Sequence, residues 1–334
     1  MRTILVTGGC GYIGSHFITA LDSNDFKVIV IDNLSNSTES TIVNINKISP
    51  IPIFFYKADL RDKKKLLKIF EKHSIDTVAH FAGLKSVSNS INEPLMYYEN
   101  NVFGSINLMQ CMLQYNVNKL IFSSSATVYA QENEQPVNEH QKLSPVNPYG
   151  KTKLIIENLI TDLIKTNKNF GAIILRYFNP IGAHPSGYLY ESTKGKPNNI
   201  MPIIINVAAG IIDNLEVYGD DYNTPDGSGL RDYIHIMDLV KAHVMAIKEF
   251  SKFTGVKFFN IGTGNPTSVF DLIKIFEKVN NIKINYKVTK RREGDLPVCF
   301  ADPSIAFREM NWKSTYSIDH ACAHAWNAFI NKRK

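Results

Sequence analysis

The sequence predicts an α/β protein, with a doubly wound parallel sheet in its first half and a smaller C-terminal lobe. Three observations support this prediction. An apolar segment near the start runs into closely spaced glycines and then into a helical pattern; strand-like and helix-like segments alternate to about residue 180; and the alternation loosens afterwards. Such alternation is typical of parallel strands joined by crossover helices on both faces of a sheet.

The first strand and the turn after it give the earliest functional signal. Residues 2–7 are mostly β-branched and apolar, as in a buried parallel strand, and glycines follow at positions 8, 11 and 14. A strand that turns on glycine into a helix directs backbone N–H groups at one place, which suits a pyrophosphate. Glycines at this spacing also occur in ordinary turns, so the Rossmann-type signal needs support from elsewhere.

That support comes from the second strand. Residues 28–31 are apolar and are followed by Asp32, 18 residues after Gly14. A carboxylate there can accept both hydroxyls of an adenosine ribose and would repel a 2′-phosphate. The pattern therefore predicts NAD as the cofactor in preference to NADP. The alternative is that Asp32 is an ordinary turn residue at the end of a strand.

The rest of the first half continues the alternation. Further strands are predicted at 53–56, 77–81, 120–122 and 172–177, with helices around 66–70, 94–115 and 149–165. Ligands of doubly wound sheets bind at the carboxyl ends of the strands. Polar clusters follow these strand ends, including a run of three serines at 123–125. The sequence therefore predicts a binding site along that edge of the sheet.

The second half is predicted to form a lobe with long loops. Loops are expected at 182–199 and 220–229, helices at 201–212 and 236–250, and a strand at 216–218. A strand at 258–260 is predicted to return to the main sheet. The domain prediction is a Rossmann domain at 1–180, rejoined by 236–262, and a lobe that spans mainly 181–334.

Composition excludes several classes of protein. With 44% apolar and 20% charged residues over 334 positions, the chain resembles a soluble globular protein. Its most apolar stretch is too short for a membrane span, and its net charge of +6 comes with no basic run interleaved with aromatics. We expect no membrane and no nucleic-acid partner. The four cysteines are widely spaced and no signal peptide is visible, so we expect a cytoplasmic protein without a metal site.

A candidate acid–base pair lies at the start of the helix predicted at 149–165. Tyr149 and Lys153 are one helical turn apart on the same face. A lysine ammonium beside a phenol is expected to lower the phenol's pKa toward neutrality and to make it a usable general base. Tyr-x-x-x-Lys also occurs on solvated helix faces. The serine run at the preceding strand end favours the catalytic interpretation, because a serine there can share a substrate's proton with the phenol.

Longer motifs are spread along the whole chain. They include Thr-Gly-Gly-x-Gly-Tyr-Ile-Gly-Ser-His at 7–16, Asp-Asn-Leu at 32–34, His-Phe-Ala-Gly-Leu-Lys at 80–85, Ser-Ser-Ser-Ala-Thr-Val-Tyr at 123–129, Pro-Tyr-Gly-Lys at 148–151, Leu-Arg-Tyr-Phe-Asn-Pro at 175–180, Gly-Leu-Arg-Asp-Tyr-Ile-His at 229–235 and Arg-Arg-Glu-Gly-Asp at 291–295. Together they resemble the extended short-chain dehydrogenase/reductase family and, more narrowly, its UDP-galactose 4-epimerases.

The resemblance implies a role for each matching residue. The catalytic set would be Ser125, Tyr149 and Lys153. The residues expected to contact NAD are Gly8, Gly11, Tyr12, Ile13, Gly14, Asp32, Asn33, Asn36, Ser37, Asp59, Leu60, Phe81, Ala82, Gly83, Lys85, Asn100, Ser123, Tyr149, Lys153 and Phe178. Those expected to hold the UDP-sugar substrate are Lys85, Ser125, Thr127, Tyr149, Asn179, Asn199, Tyr218, Arg231, Tyr233, Arg292, Asp295 and Cys299.

The resemblance also implies a reaction. Tyr149 would take the proton of the sugar 4-hydroxyl while hydride passes to NAD, and hydride would return to the other face of the 4-keto sugar. NAD would stay bound through each cycle. The guanidinium groups of Arg231 and Arg292 suit a diphosphate, because they can bind it bidentately. A homodimer through the helices near 94–115 and 149–165 is implied as well.

The chain departs from the family pattern at three places. Ala130 replaces a glycine, and serine and asparagine at 88–89 replace a Gly-Glu pair, so the local loop geometry is open there. Cys299 stands where many members carry a tyrosine that lines the sugar cavity, and members with a small residue accept bulkier sugars. Cys299 therefore predicts that UDP-N-acetylglucosamine and UDP-N-acetylgalactosamine are also interconverted. The alternative is that Cys299 is a small core residue.

Two other functions stay open. A nucleotide-sugar 4,6-dehydratase would share the fold, NAD and the Tyr-x-x-x-Lys pair. It needs an acid and a base beside the catalytic hydroxyl residue, where this chain has Ala126 and Thr127. A non-catalytic NAD-sensing protein would share the fold but has no need of the serine, tyrosine and lysine together.

Overall fold

A computed structural model describes residues 1–192, 194–195, 197–292 and 294–333 of the chain. Two compact units are present. The first contains Met1–Gln131, Gln141–Arg176 and Val240–Phe259, and the second contains Glu132–His140, Tyr177–Leu239 and Asn260–Lys334. Each unit is thus assembled from three separate stretches of the sequence. Glu293, part of the motif at 291–295, lies outside the described residues.

The strands and helices follow the predicted alternation. In chain order the strands are β1 (Arg2–Thr7), β2 (Phe26–Asp32), β3 (Ile53–Lys57), β4 (Thr77–His80), β5 (Lys119–Ser125), β6 (Gly171–Tyr177), β7 (Asn179–Ile181), β8 (Leu215–Tyr218), β9 (Leu230–His235), β10 (Val256–Ile261), β11 (Pro266–Ser268), β12 (Tyr286–Thr289) and β13 (Val298–Cys299). The α-helices are α1 (Tyr12–Ala20), α2 (Ser40–Ile48), α3 (Lys63–Lys72), α4 (Val87–Asn92), α5 (Pro94–Tyr97), α6 (Gly104–Gln114), α7 (Pro148–Thr166), α8 (Ile200–Ala208), α9 (Ile236–Glu249), α10 (Val269–Asn280), α11 (Ser304–Met310) and α12 (Ile318–Arg333).

The first unit is built on a sheet of seven strands among the described residues, in the order β10-β6-β5-β4-β1-β2-β3. Its pairings include Leu5 opposite Ile29 on one side and Val78 on the other, in parallel register. This confirms the predicted doubly wound parallel sheet. It also confirms that a late strand, β10, returns to the sheet beside β6.

One predicted helix, at 94–115, is broken in the structure. A π-helical segment, Tyr98–Phe103, separates α5 from α6. Single π-helical turns inside α-helices frequently mark functional sites. Here the extra turn contains Asn101, which is buried and makes hydrogen bonds outside its own helix. The helix predicted at 201–212 is also shorter, because the chain turns at Gly210 with a φ of +67°.

The core of the first unit lies between the sheet and its helices. Apolar side chains from β1, β2, β4, β5 and β6 pack with side chains of α3, α6 and α7. Both faces of these strands are covered, so their sequences are continuous apolar runs without alternation. Burying each such Val, Leu, Ile or Phe side chain stabilises the fold by roughly 1.5–3 kcal/mol before entropy is counted.

The second unit contains two small sheets within its described residues. β9 pairs with β7, β11 and β13, and β8 pairs with β12. Helices α8, α10 and α12 cover an apolar core that includes Leu272, Phe276 and Cys322. Across the described parts of both units, no helix has the length and hydropathy of a membrane span, and no group of His, Cys, Asp or Glu side chains is arranged to hold a metal ion.

Candidate active site

The glycine turn after β1 has the geometry that a dinucleotide phosphate requires. Gly8 has a φ of +69°, and a Cβ atom there would lie 2.7 Å from the backbone nitrogen of Ala82. A Cβ at Gly14 would lie 2.4 Å from the carbonyl oxygen of Gly8. Gly11 precedes the first residue of α1. The backbone is therefore compact around a helix N-terminus, as it must be for N–H groups to approach a pyrophosphate.

Asp32 ends β2 beside this turn and is almost fully buried. Its Oδ2 atom accepts a hydrogen bond from the backbone nitrogen of Cys10 at 3.0 Å. Its Oδ1 atom accepts from the Leu34 nitrogen at 2.8 Å and from the Ser37 hydroxyl at 2.9 Å. A carboxylate has about four acceptor positions, so capacity remains for a ribose hydroxyl. The turn and this carboxylate together fit NAD.

A second carboxylate, that of Asp59, lies in the loop that follows β3. Asp59 accepts a hydrogen bond from the Asn33 amide at 2.8 Å and forms an ion pair with Arg61 at 2.9 Å. The hydrogen bonds from Arg61 hold the pKa of Asp59 well below its usual range. Asp59 is therefore an anion under ordinary conditions. It fixes the loop that follows β2 to the loop that follows β3.

The segment after β4 is held by Asn101 of the π-helical turn. The Oδ1 atom of Asn101 accepts hydrogen bonds from the Leu84 nitrogen at 2.7 Å and from the Asn100 amide at 3.0 Å. Its amide nitrogen donates to the Leu84 carbonyl at 3.0 Å and to the Thr152 hydroxyl at 3.1 Å. Asn101 thus connects the loop after β4 to α7. The Lys85 ammonium lies 5.9 Å from the Tyr12 ring centre.

His80, the last residue of β4, forms hydrogen bonds that hold the same region in place. Its Nδ1 atom lies 2.7 Å from the Thr7 hydroxyl and its Nε2 atom lies 2.8 Å from the Ser105 hydroxyl. Ser105 in turn donates to the Asn101 carbonyl at 2.5 Å. Burial lowers the pKa of His80 to about 3, so the ring is neutral at ordinary pH. Thr7 also accepts the Ala82 nitrogen at 3.3 Å.

The predicted catalytic side chains meet at the end of β5. Tyr149 and Lys153 are both buried on α7, and Ser125 is the last residue of β5. The Ser125 hydroxyl is hydrogen-bonded to the Tyr149 phenol, and its oxygen accepts from the Thr127 hydroxyl at 3.0 Å. The Lys153 ammonium donates to the Ser123 carbonyl at 2.8 Å. The structure therefore brings together the three residues that the motifs single out.

The start of α7 explains how this geometry is fixed. The Asn147 side chain caps the helix by accepting a hydrogen bond from the Gly150 nitrogen at 2.8 Å, and Pro148 occupies the first turn. A Cβ at Gly150 would lie 2.6 Å from the Thr127 carbonyl oxygen. Only glycine lets the helix approach this closely. The close approach keeps Thr127, and with it Ser125, against Tyr149.

The expectation that Lys153 lowers the pKa of Tyr149 toward neutrality is wrong, because the pKa of Tyr149 is raised. Burial raises the pKa of Tyr149 to about 12, although the hydrogen bond from Ser125 acts in the opposite direction. Burial also lowers the pKa of Lys153 to about 8. The ammonium lies 6.0 Å from the phenol ring centre and points toward a carbonyl. Loss of solvation therefore sets the direction of the Tyr149 pKa shift.

A buried ion pair that no motif of the sequence indicated lies close to the predicted catalytic residues. Glu157, one turn after Lys153 on α7, binds Arg176 through an Oε2–Nη2 contact of 2.7 Å and an Oε1–Nε contact of 3.1 Å. The Ser124 hydroxyl donates to Glu157 at 2.5 Å, and Arg176 donates to the Tyr129 hydroxyl at 3.1 Å. The spacing from Lys153 to Glu157 could have placed this carboxylate on the catalytic face.

In the second unit, the predicted phosphate-binding arginines form a charged group. Arg292 donates from Nε to Asp295 at 3.0 Å, and its guanidinium carbon lies 4.6 Å from the Tyr218 ring centre. Arg231 lies 4.0 Å from the other oxygen of Asp295 and donates to the Leu230 carbonyl at 2.9 Å. The Arg292 side chain is 56% exposed and the Arg231 side chain is 20% exposed, so both keep donors available for an anion.

The other predicted substrate residues of this unit occupy defined positions. Asn199 precedes α8 and donates to Glu191 at 2.6 Å. Cys299 pairs with Arg231 in parallel register, and burial raises the pKa of its thiol. Burial likewise raises the pKa of Tyr233, to about 12. The residues predicted for NAD or substrate that the second unit contains are Phe178, Asn179, Asn199, Tyr218, Arg231, Tyr233, Arg292, Asp295 and Cys299.

The first unit contains the rest of the predicted set. The turn and first helical residues are Gly8, Gly11, Tyr12, Ile13 and Gly14. Asp32 ends β2, and the loop residues are Asn33, Asn36, Ser37, Asp59, Leu60, Phe81, Ala82, Gly83 and Lys85. The remainder are Asn100, Ser123, Ser125, Thr127, Tyr149 and Lys153. At the departures, Ala130 is buried and its nitrogen donates to the Lys142 carbonyl, while Ser88 is exposed on α4.

Known proteins match this chain over almost its whole length. A family model described as GDP-mannose 4,6 dehydratase matches residues 5–325. The protein named UDP-glucose 4-epimerase 1 of Oryza sativa subsp. japonica is 46% identical over 333 residues, which are 98% of this chain and 94% of that protein. The UDP-glucose 4-epimerase of Bacillus subtilis (strain 168) is 44% identical over 323 residues, 97% and 95% of the two chains.

Solved structures agree with the relatives. The crystal structure of UDP-glucose 4-epimerase from Bifidobacterium longum, in complex with NAD+ and UDP, superposes with a TM-score of 0.96 at 41% identity and covers 99% of each chain. The matches to these relatives span both units of the chain. The chain therefore belongs to the UDP-glucose 4-epimerases.

Proposed function

We propose that this chain interconverts UDP-glucose and UDP-galactose with NAD as a bound cofactor. The observation that carries the proposal is the buried Tyr149 phenol, hydrogen-bonded to Ser125 and one helical turn from Lys153, in a chain of this family. The region 1–180, rejoined by 236–262, is proposed to bind NAD through the glycine turn and Asp32. The region 181–334 is proposed to supply most contacts to the UDP-sugar.

The residues of the chain define the proton path of this reaction. Tyr149 takes the proton of the sugar 4-hydroxyl as C4 is oxidised to a ketone, and it returns the proton when the turned sugar is reduced. Ser125 donates to the same oxygen and keeps it in line with the phenol. NAD, when bound, supplies the hydride acceptor and a positive charge that favours the phenolate. The Lys153 ammonium adds a second cation within 6.0 Å of the ring centre.

The dehydratase alternative is not favoured. Elimination of water from C5 and C6 needs an acid and a base beside Ser125. The residues that follow Ser125 form a short 3₁₀ turn. Ala126 has no titratable group there, and the Thr127 hydroxyl donates a hydrogen bond to Ser125. The relatives reported above are named as 4-epimerases.

The direct test is turnover without an external reductant. Purified protein is incubated with UDP-galactose, and the sugars are followed by proton NMR. We expect UDP-glucose to accumulate to a fixed ratio with UDP-galactose, with NAD recovered from the denatured protein. The variant Tyr286→Phe serves as a matched control, because Tyr286 is an exposed tyrosine on β12. Formation of a 4-keto-6-deoxy sugar, or no conversion at all, would contradict the proposal.

We also propose that the N-acetylated sugars are substrates. Cys299 lies on β13 opposite Arg231, which is itself proposed to bind the diphosphate. A thiol side chain is far smaller than a phenol, so the volume that a tyrosine would fill at this position is free for a 2-acetamido group. Burial keeps the thiol protonated and uncharged.

Side-by-side turnover tests this second proposal. We expect the wild-type protein to interconvert UDP-N-acetylglucosamine and UDP-N-acetylgalactosamine. Cys299→Tyr should abolish that reaction and retain the hexose reaction, because overpacking excludes only the larger sugar. Cys299→Ser, which keeps the volume, is the matched control and should retain both activities. Equal loss of both activities in the tyrosine variant would show that position 299 serves the fold.

A homodimer through the helices near 94–115 and 149–165 is proposed as the assembly. Exposed apolar side chains on and beside these helices support it, since Leu95 is 81% exposed and Ile91 and Phe103 are also exposed. Light scattering should give twice the chain mass, and Leu95→Glu should give the monomer. Phe307→Glu, on an exposed residue of α11, is the control and should leave the dimer intact.

The free thiols of all four cysteines support a cytoplasmic location.

A further inference from the structure

The loop between β8 and β9 is tightly built around one tyrosine, Tyr222. Its backbone nitrogen donates to the Gly227 carbonyl at 2.9 Å, and its side chain is 7% exposed. Gly219, with a φ of +85°, approaches so closely that a Cβ there would lie 2.8 Å from the Tyr222 ring. This loop was expected to be irregular, yet its glycines and turns hold the ring in one place.

The guanidinium group of Arg291 lies over this ring. Its guanidinium carbon lies 4.3 Å from the ring centre, and its Nε atom donates to Asp221 at 2.7 Å. The same Cβ at Gly219 would lie 2.8 Å from the Arg291 side chain. The phenol ring is therefore in contact with both the Gly219 backbone and the Arg291 guanidinium group. Its orientation is set by the protein and does not depend on its hydroxyl.

The hydroxyl of Tyr222 is buried and has no hydrogen-bond partner among the residues that the structure describes. Leaving a buried hydroxyl without a partner is unfavourable. The charges that act on it belong, largest effect first, to Asp295, Arg231, Arg291 and Arg292. Guanidinium groups only donate hydrogen bonds, so they cannot accept one from the phenol. Asp295 is engaged by Arg292 at 3.0 Å and by Arg231 at 4.0 Å.

Burial raises the pKa of Tyr222, so its hydroxyl stays a neutral donor at ordinary pH. A neutral donor therefore lies near guanidinium groups, which are donors as well. An anionic oxygen is the acceptor that would satisfy the phenol and the guanidinium groups at once. A diphosphate has such oxygens, and the neighbouring arginines are those proposed to bind it.

We infer that the Tyr222 hydroxyl donates a hydrogen bond to a diphosphate oxygen of the bound UDP-sugar and is a substrate-binding residue of this chain. This inference rests on the proposed function, which places the diphosphate at Arg231 and Arg292. It assigns a role to the loop at 220–229 that the motifs of the sequence did not indicate.

The variant Tyr222→Phe tests the inference, because it keeps the ring between Gly219 and Arg291 and removes only the hydroxyl. Binding of UDP and of uridine is measured by calorimetry on the NAD-loaded protein, together with the melting temperature of the protein without nucleotide. We expect UDP to bind about 10-fold to 100-fold more weakly, as for a lost hydrogen bond to a charged group. Uridine binding should not change, since uridine has no phosphate. The melting temperature should be equal or higher, because no native hydrogen bond is lost.

The control Tyr286→Phe removes an exposed hydroxyl from the same unit and should leave all three measurements unchanged. Three outcomes would overturn the inference: unchanged UDP binding, an equal loss for UDP and uridine, or a lowered melting temperature with weakened UDP binding. The last of these would mean that the hydroxyl serves the fold. Wild-type protein that fails to bind UDP would instead overturn the proposed function itself, which distinguishes the two failures.

Discussion

The acid–base group of the first unit and the arginine group of the second unit are built in opposite ways. Ser125, Tyr149 and Lys153 are 4–7% exposed and lie on a strand end and a long helix. The side chains of Arg231, Arg291 and Arg292 are 20%, 48% and 56% exposed. The first group is satisfied by hydrogen bonds to backbone and hydroxyl groups, and the second is held by carboxylates and aromatic rings.

The roles proposed for the two groups account for this difference. Proton transfer needs donors and acceptors fixed before the reaction starts, and burial strengthens their electrostatic effect. Its consequence is a shifted pKa, as in Tyr149 and Lys153. A phosphate-binding group needs charges that remain hydrated until an anion replaces the water. The first group is therefore completed by the fold and the second by its ligand.

The largest expected effect is on the acid–base group. Tyr149→Phe removes the proton acceptor and keeps the ring, so turnover of UDP-galactose should fall by about 10²- to 10⁴-fold. Because the ring remains buried, circular dichroism and the amount of bound NAD should match the wild type. Turnover within a few-fold of the wild type would mean that another group, with Ser125 the next candidate, accepts the proton.

The next prediction compares an ion pair from each unit. Glu157→Gln leaves Arg176 buried and unpaired, which should lower the free energy of unfolding by about 3–5 kcal/mol. Asp221→Asn breaks the exposed pair with Arg291 and should leave the urea midpoint almost unchanged, because solvent screens it. Similar small effects for both variants would show that burial does not increase the contribution of the Glu157–Arg176 pair to the free energy of unfolding.

The features that follow from the sequence are those determined by residues close together in the chain. The strands, most helices and the glycine turn were predictable, because apolar periodicity and glycine spacing act within a few residues. The π-helical turn was not, since it depends on hydrogen bonds from Asn101 to Leu84, 17 positions earlier. The pKa direction of Tyr149 is not predictable from the motif either, because burial is a property of the packed unit. Tyr222 carries no motif at all.

A third prediction concerns pH and His80. The pKa of His80 is about 3 in the folded protein and 6.5 in its unperturbed state. Above pH 6.5 the His80 ring is neutral in both states. Between pH 6.5 and about 3 the ring is protonated in the unfolded chain and neutral in the folded protein. Stability should therefore fall as the pH falls through this window. His80→Gln should fall less steeply in urea titrations between these limits, and His140→Gln, at an exposed position, should follow the wild type. Parallel curves for His80→Gln and wild type would remove His80 from this effect.

The smallest expected effect is on the arginine group. Raising the ionic strength from about 0.05 to 0.5 M shortens the Debye length from roughly 14 Å to 4 Å, so the exposed arginines should bind UDP several-fold more weakly. The group proposed to be catalytic is buried, so kcat at saturating substrate should change little. A kcat that falls as much as the affinity for UDP would erase the difference between the two groups.

The place of β10 in the seven-stranded sheet has a consequence for the order of folding during synthesis. β6 ends at Tyr177, and β10, which pairs with it, begins at Val256, about 80 residues later. At ribosomal rates of about 5–20 residues per second, this interval lasts roughly 4–16 s. Throughout that time the nascent sheet has an unpaired parallel edge, which is the kind of surface that chaperones cover and that aggregating chains use. A ribosome stalled within this interval would expose that edge for longer.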